Sequence, residues 1–371
     1  MAPSLPALES TFSSVRLGWI LLSPPTRPQP STRIAALHMM EDLAQHGVSS
    51  EILYAPLQAT EQPKLPPPSQ MLEEIRARGI NVVVFQKTHG ESVRQLAIAL
   101  QQAGVKSLFL VCDLVLPDLA ELTDATVVVT DYLRGLYPPR LQHKLWVVHD
   151  GIERHELHIM KYSSGRGSAN QPLKATLVTS ASLHSLAAMG LPPRWLRLQV
   201  LGQYPSNYGR FARTISALRQ CPREGHLACT ERLAFAVHAR ISTEPWTESA
   251  AYDALLSADL GVIPVDTRHS GDLEKLPPSW MRKSENRLTL KMALGLPVIA
   301  SPVPSYLSVI ENGVNGFIAN NPKEWRECLH ALRDPHLREH IGQAARRSVI
   351  ARYSRANQAR LFLEVLQGLM T

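Results

Sequence analysis

Residues 283–320 read KSENRLTLKMALGLPVIASPVPSYLSVIENGVNGFIAN, in the order loop, helix, turn, strand, loop. Glu285–Leu294 has the length and composition of a short helix, and the Ser284 hydroxyl is suited to cap its first turn. Leu288 and Met292, and Leu290 and Leu294, stand one turn apart, which predicts a mostly buried helix. Gly295 ends it, because glycine takes the left-handed conformation without a Cβ penalty. PVIAS, from Pro297, suits a buried parallel strand. A Pro/Ser-rich loop follows, with Gly313 and Gly316 as turn points.

A helix start of this kind can hold an anion. Its first amides lack intrahelical partners and the dipole adds partial positive charge there. Arg282 and Lys283 precede it and Arg287 lies in its first turn. A phosphate or diphosphate fits that arrangement, as do plain solvated charges around a capped helix.

Here a family comes into view. GLPVIAS after a helix, followed by VIENGVNGFIA, resembles the C-terminal half of family-four retaining glycosyltransferases of the GT-B fold. SENRLTLKMALGLPVIAS is similar to the stretch where these enzymes hold the diphosphate and ribose of a nucleotide sugar. The resemblance implies two facing Rossmann-like doubly wound domains with a cleft between them, and a last helix that crosses back to the first domain. It implies donor contacts from Arg282, Lys283, Ser284, Glu285, Asn286, Arg287 and Lys291.

The rest of the chain fits that frame. A length of 371 residues favours two or three domains. With 44% hydrophobic and 19% charged residues the composition is that of an ordinary globular protein. The net charge of +7 favours anionic partners, such as nucleotide sugars or an acidic membrane surface. No Lys/Arg block with interleaved aromatics occurs, so nucleic acid is not an expected partner. The four cysteines are scattered, with neither zinc-ligand spacing nor a disulfide framework, which fits a reducing cytoplasm. The start lacks the pattern of a secretory signal and reads as a tail. No run reaches the roughly 20 apolar residues that span a bilayer, although basic faces still allow peripheral contact with its inner face.

Short apolar runs alternate with helix-length segments, as in a parallel sheet covered on both faces. They fall at Arg16–Leu22, Glu51–Tyr54, Asn81–Phe85, Ser107–Cys112, Thr126–Thr130 and Leu145–Val148. After a polar stretch the pattern restarts at Ala175–Thr179, Leu198–Leu201, Leu233–Val237, Asp259–Pro264, Pro297–Ser301 and Gly316–Ala319. The expected organisation is a tail over 1–14, an acceptor-side domain over 15–162, a linker over 163–172, a nucleotide-sugar domain over 173–350 and a final helix over 351–371.

Candidate chemistry sits in loops at strand ends, where such sheets bind ligands. QKTHGES follows the third run; the resemblance makes His89 or Lys87 a contact to the donor sugar or leaving phosphate, while the residues by themselves equally fit an ordinary polar loop. Asp113, after the fourth run, is either an acceptor contact or a turn cap. Arg33 is either a partner for an anionic acceptor or a solvated helix residue. His149, Asp150 and Gly151 resemble the motif that closes the first domain, with Gly151 as a backbone device. Ser180 and Ser182 stand where many family members carry an arginine and a lysine for the diphosphate. Arg268 and His269 lie in the long loop ahead of the helix.

One departure concerns acids. Many relatives place two glutamates eight positions apart, one ahead of this helix and one on it, the second bonding the ribose. Those positions are Lys283 and Lys291 here. Lysine donates but cannot accept. Glu285, two residues after Lys283, is a possible substitute. No D-x-D triplet occurs, in agreement with the metal independence that the resemblance implies; no cofactor beyond the donor substrate is expected. The expected function is transfer of a sugar from a nucleotide-diphosphate sugar to a saccharide, lipid-linked or small-molecule acceptor. The alternative is a catalytically silent GT-B protein that binds a sugar or a partner enzyme.

Overall fold

Among the described residues twelve short strands form two parallel sheets. The computed structural model describes residues 12, 14–159, 162–179, 186, 188–206, 208–221, 226–267 and 276–370. The chain divides into two units, one of Met1–Glu153 with Tyr353–Thr371 and the other of Arg154–Arg352.

In the first unit β1 (Arg16–Ile20), β2 (Ser49–Tyr54), β3 (Val82–Gln86), β4 (Lys106–Val111), β5 (Ala125–Val128) and β6 (Leu145–Val147) line up as β2-β1-β3-β4-β5-β6. β3 is buried along its whole length and β4 along all but its first residue, as continuous apolar runs between two helical layers require. A π-helical turn, Arg33–Leu37, leads into α1 (His38–Ala44), and Gly47 turns the chain at φ 81°. α2 (Glu91–Gln102) covers the other face, burying Val93, Leu96, Ala97 and Leu100.

The second unit holds β7 (Leu173–Val178), β8 (Leu196–Gly202), α3 (Arg210–Gln220), α4 (His226–Val237) and β9 (Ile241–Pro245). It continues through β10 (Leu260–Ile263), α5 (Asn286–Ala293), β11 (Val298–Ala300), β12 (Phe317–Ile318) and α6 (Pro335–Val349). Its sheet order is β12-β11-β10-β7-β8-β9. Ser163 and Arg166, in the stretch read as a linker, both bond the Asp259 carboxylate at the amino end of β10. The Lys174 amide donates to that carboxylate at 2.8 Å.

α7 (Arg355–Met370) belongs to the first unit. Its Phe362, fully buried, stacks on Trp19 with ring centroids 6.1 Å apart. Arg355 at its start takes the Asp42 carboxylate at 2.9 and 2.8 Å and Glu41 at 2.8 Å. Gly151 is needed here: a Cβ on it would stand 3.1 Å from Arg355 Cγ.

Four expectations change. Leu233–Val237 is the end of α4, not a strand. A five-residue apolar run does not separate strand from buried helix. The sixth strand is β9, ISTEP, at the sheet edge with only Ile241 buried, so it shows no apolar run. Phe12, in the presumed tail, is 2% exposed and belongs to the first core. Cys221, at the end of α3, and Cys229, in α4, form a disulfide with their Cα atoms 4.8 Å apart. The helix in the deciding stretch starts at Asn286, with Glu285 rather than Ser284 at the cap position and no side-chain cap.

Candidate functional site

In the second unit the strand order places β7 next to β10, where the direction of winding reverses. Ligands of doubly wound sheets bind at the carboxyl ends of the strands at such a point. α5 delivers its first turn there. Leu288 and Met292 are fully buried and anchor the helix, while Leu290 is only half-buried. The Arg287 guanidinium, in the first turn, donates through Nη1 to Thr179 Oγ1 at 3.4 Å, directly after β7. The carbonyl of Glu285 accepts from the amides of Leu288 at 2.8 Å and Thr289 at 2.9 Å. The amides of Asn286 and Arg287 stand at the positions that have no acceptor within a helix.

The neighbouring loops are pinned. Ser305 Oγ donates to the Lys283 carbonyl at 2.7 Å, and Arg282 Nε donates to the Pro277 carbonyl at 3.1 Å. Val265, after β10, donates its amide to Ser301 Oγ at 2.9 Å. Lys283, Ser284, Asn286 and Arg287 are partly exposed, whereas Glu285 is 2% exposed. Ser180, Ser182, Arg268 and His269 lie outside the described residues.

Lys291 is placed differently from the other cations. It is 1% exposed, and its Nζ donates to the Arg287 carbonyl at 3.1 Å. Burial, with the Arg287 charge adding to it, lowers its pKa from 10.5 to about 7. Its aliphatic stem lies against β10: a Cβ on Gly261 would come within 2.8 Å of Lys291 Cδ. Lys291 supports the first turn of α5 from within the fold.

In the first unit the winding reverses between β1 and β3. Gln86, fully buried at the end of β3, accepts through Oε1 from the Leu22 amide and from Thr32 Oγ1, both at 3.0 Å. The next residue, Lys87, has φ 54°, a left-handed conformation that a side chain rarely adopts and that often marks a functional loop. Its amide donates to the Leu110 carbonyl at 2.7 Å. Its Nζ stands 2.8 Å from Asp113 Oδ1 and 3.1 Å from Glu61 Oε1. Burial alone would lower the Lys87 pKa; the hydrogen bonds and charges of Asp113 and Glu61 outweigh it and hold the value above that of an ordinary lysine.

His89 donates its amide to the Glu61 carbonyl at 2.7 Å, and its Nε2 lies 3.8 Å from Glu61 Oε2. Thus Glu61, a residue that sequence reading did not single out, joins Lys87 to His89, and Asp113 joins the group through Lys87. Glu61 lies in a Pro-rich connection, and only the folded chain brings that segment against the β3 loop. Arg33 is not a solvated helix arginine. It grips Glu153 through Nε at 2.7 Å and Nη2 at 3.0 Å. Among the described residues no group of three His, Cys, Asp or Glu side chains gathers as metal ligands do.

With that geometry in place, the comparisons are informative. The strand order of each sheet and solved structures across the whole chain agree. HepE of Anabaena, crystallised with UDP and glucose, superposes with a TM-score of 0.64 at 12% identity, over 96% of this chain and 100% of that one. This is the GT-B fold. The sucrose-phosphate synthase of Thermosynechococcus elongatus gives a TM-score of 0.64 at 14% identity, over 96% of this chain and 99% of that one. A glycosyltransferase of Rickettsia africae gives 0.62 at 11% identity, over 96% and 99%. Residues 278–364, which run from the second unit into α7 of the first, match the family model described as glycosyl transferase-like. No curated protein matches the sequence. Among the described residues no helix is long and apolar enough to cross a membrane.

Proposed function

We propose that the chain is a glycosyltransferase that moves a sugar from a nucleoside-diphosphate sugar to an acceptor hydroxyl, with retention and without a bound metal. The reading is carried by the first turn of α5: Arg287, inside the glycosyl transferase-like segment, reaches Thr179 at the end of β7, beside β10. There the amides of Asn286 and Arg287, with Arg282, Lys283 and Arg287, offset the negative charge that grows on the leaving diphosphate. Preorganised donors of this sort supply a large electrostatic share of catalysis. Lys87 and His89 serve the sugar and acceptor side, with Asp113 and Arg33 nearby in the first unit. HepE was crystallised with UDP and with UDP-glucose, which makes a UDP-sugar the first donor to try.

A second reading is favoured by Lys291. A lysine ammonium cannot accept a bond from a ribose hydroxyl, and this side chain is buried, with its Nζ on the Arg287 carbonyl. A GT-B protein that binds a sugar or partner enzyme without turnover would tolerate that. A panel of UDP-, GDP- and ADP-sugars with mixed saccharide, lipid-linked and small-molecule acceptors separates the two. Release of nucleoside diphosphate from one donor supports transfer. Release from none of them, together with measurable binding of a sugar or a partner enzyme, supports the silent reading.

A further inference from the structure

α3 carries an apolar stripe that the fold does not cover. Phe211 is 80% exposed and Leu218 54% exposed. They are seven residues apart, two helical turns, so they share a face, and half-buried Ile215 sits between them. The opposite face is anchored: Arg213 and Ala217 are buried, and the Arg213 guanidinium donates to the carbonyls of Ala236 and His238. At about 100° per residue, Arg210 falls about 100° to one side of Phe211 and Arg219 about 80° to the other. Both arginines are exposed, and the helix RFARTISALRQ contains no acid.

Scattered exposed apolar residues are ordinary, but Phe211 and Leu218 share one face of one helix.

An apolar stripe flanked by arginines, on a chain of net charge +7, matches one kind of partner well. The acyl boundary of a bilayer takes Phe and Leu, while anionic headgroups take the flanking guanidinium groups. We propose that α3 docks the protein on an anionic lipid surface. On the transferase reading, this brings a lipid-linked acceptor within reach; the docking itself does not depend on catalysis.

The test is co-sedimentation of the full chain with vesicles of phosphatidylcholine alone or of equal parts phosphatidylcholine and phosphatidylglycerol. Binding is expected to the mixed vesicles and to fall with salt. Phe211→Asp with Leu218→Asp should weaken it about tenfold or more. Arg210→Gln and Arg219→Gln should each weaken it about fivefold. All variants should keep the wild-type Tm and UDP-induced thermal shift, because these side chains face solvent. Absence of binding to the mixed vesicles, or undiminished binding by the Phe211→Asp/Leu218→Asp variant, overturns the proposal. So does a dimer in solution that this double substitution dissolves, which would assign the stripe to a second copy. Vesicle binding with no thermal shift from UDP, GDP or ADP would overturn the transferase reading and leave the docking surface standing.

Discussion

The Lys291 ammonium donates to the Arg287 carbonyl at 3.1 Å, one turn back along α5, from a position only 1% exposed. Burial holds its pKa near 7 against the ordinary 10.5, with the Arg287 charge contributing. Below about 7 both the folded and unfolded chains carry the proton, and the fold bears the cost of a buried charge. Between about 7 and 10.5 only the unfolded chain carries it, so this residue makes stability rise with pH through that window. Lys291→Met should remove the rise. The difference between the stability curves of the variant and wild type should then change by on the order of 4 kcal/mol from pH 6 to pH 10. Urea titrations at stepped pH measure this, and parallel curves would contradict the buried ammonium.

Arg287 bonds Thr179, and the proposed function makes it a contact to the donor diphosphate. Arg287→Gln should weaken UDP binding by about tenfold to a hundredfold, the range of a charge-assisted hydrogen bond. Calorimetry with UDP reads it. An unchanged Kd would remove Arg287 from the donor site.

The Lys87 cluster yields a kinetic prediction. Asp113→Asn keeps the shape but removes a charge 2.8 Å from the Lys87 ammonium. Both groups are partly exposed, so stability should change by less than about 1 kcal/mol. kcat should fall about tenfold or more if the cluster positions His89 and Lys87 on the sugar. A variant as active as wild type would make the cluster purely structural.

Phe362 tests the attachment of α7. It is fully buried against Trp19 and the β1 face. Phe362→Ala should cost about 3–5 kcal/mol. Denaturation that follows Trp19 fluorescence would show it; a loss below about 1 kcal/mol would mean that α7 is not held as described.

Gly18 is the close-packed point of β1. A Cβ there would come within 2.3 Å of Leu53 Cδ1 and 2.7 Å of Leu53 Cγ. Gly18→Ala should destabilise by about 1–3 kcal/mol through overpacking. A thermal melt unchanged from wild type would show that Leu53 moves aside freely.

The sequence by itself determined the architecture wherever strands are central. Runs such as VVVF and VIAS are buried on both faces, so burial wrote them as unbroken apolar stretches. It also marked α5, because an amphipathic helix with a glycine stop is a local pattern. Edge strand β9 was hidden, since half of an edge strand meets water, and the apolar end of α4 stood out in its place. Tertiary structure alone decided which charges meet. Glu61 with Lys87, Arg33 with Glu153, and Arg287 with Thr179 join residues far apart in the chain, and composition carries no distance. It also decided that Lys291 is buried while Lys283, eight residues earlier, stays partly exposed. Lys283 lies in the loop ahead of α5, whereas Lys291 sits on the helix against Gly261, where a missing Cβ leaves room for a lysine stem.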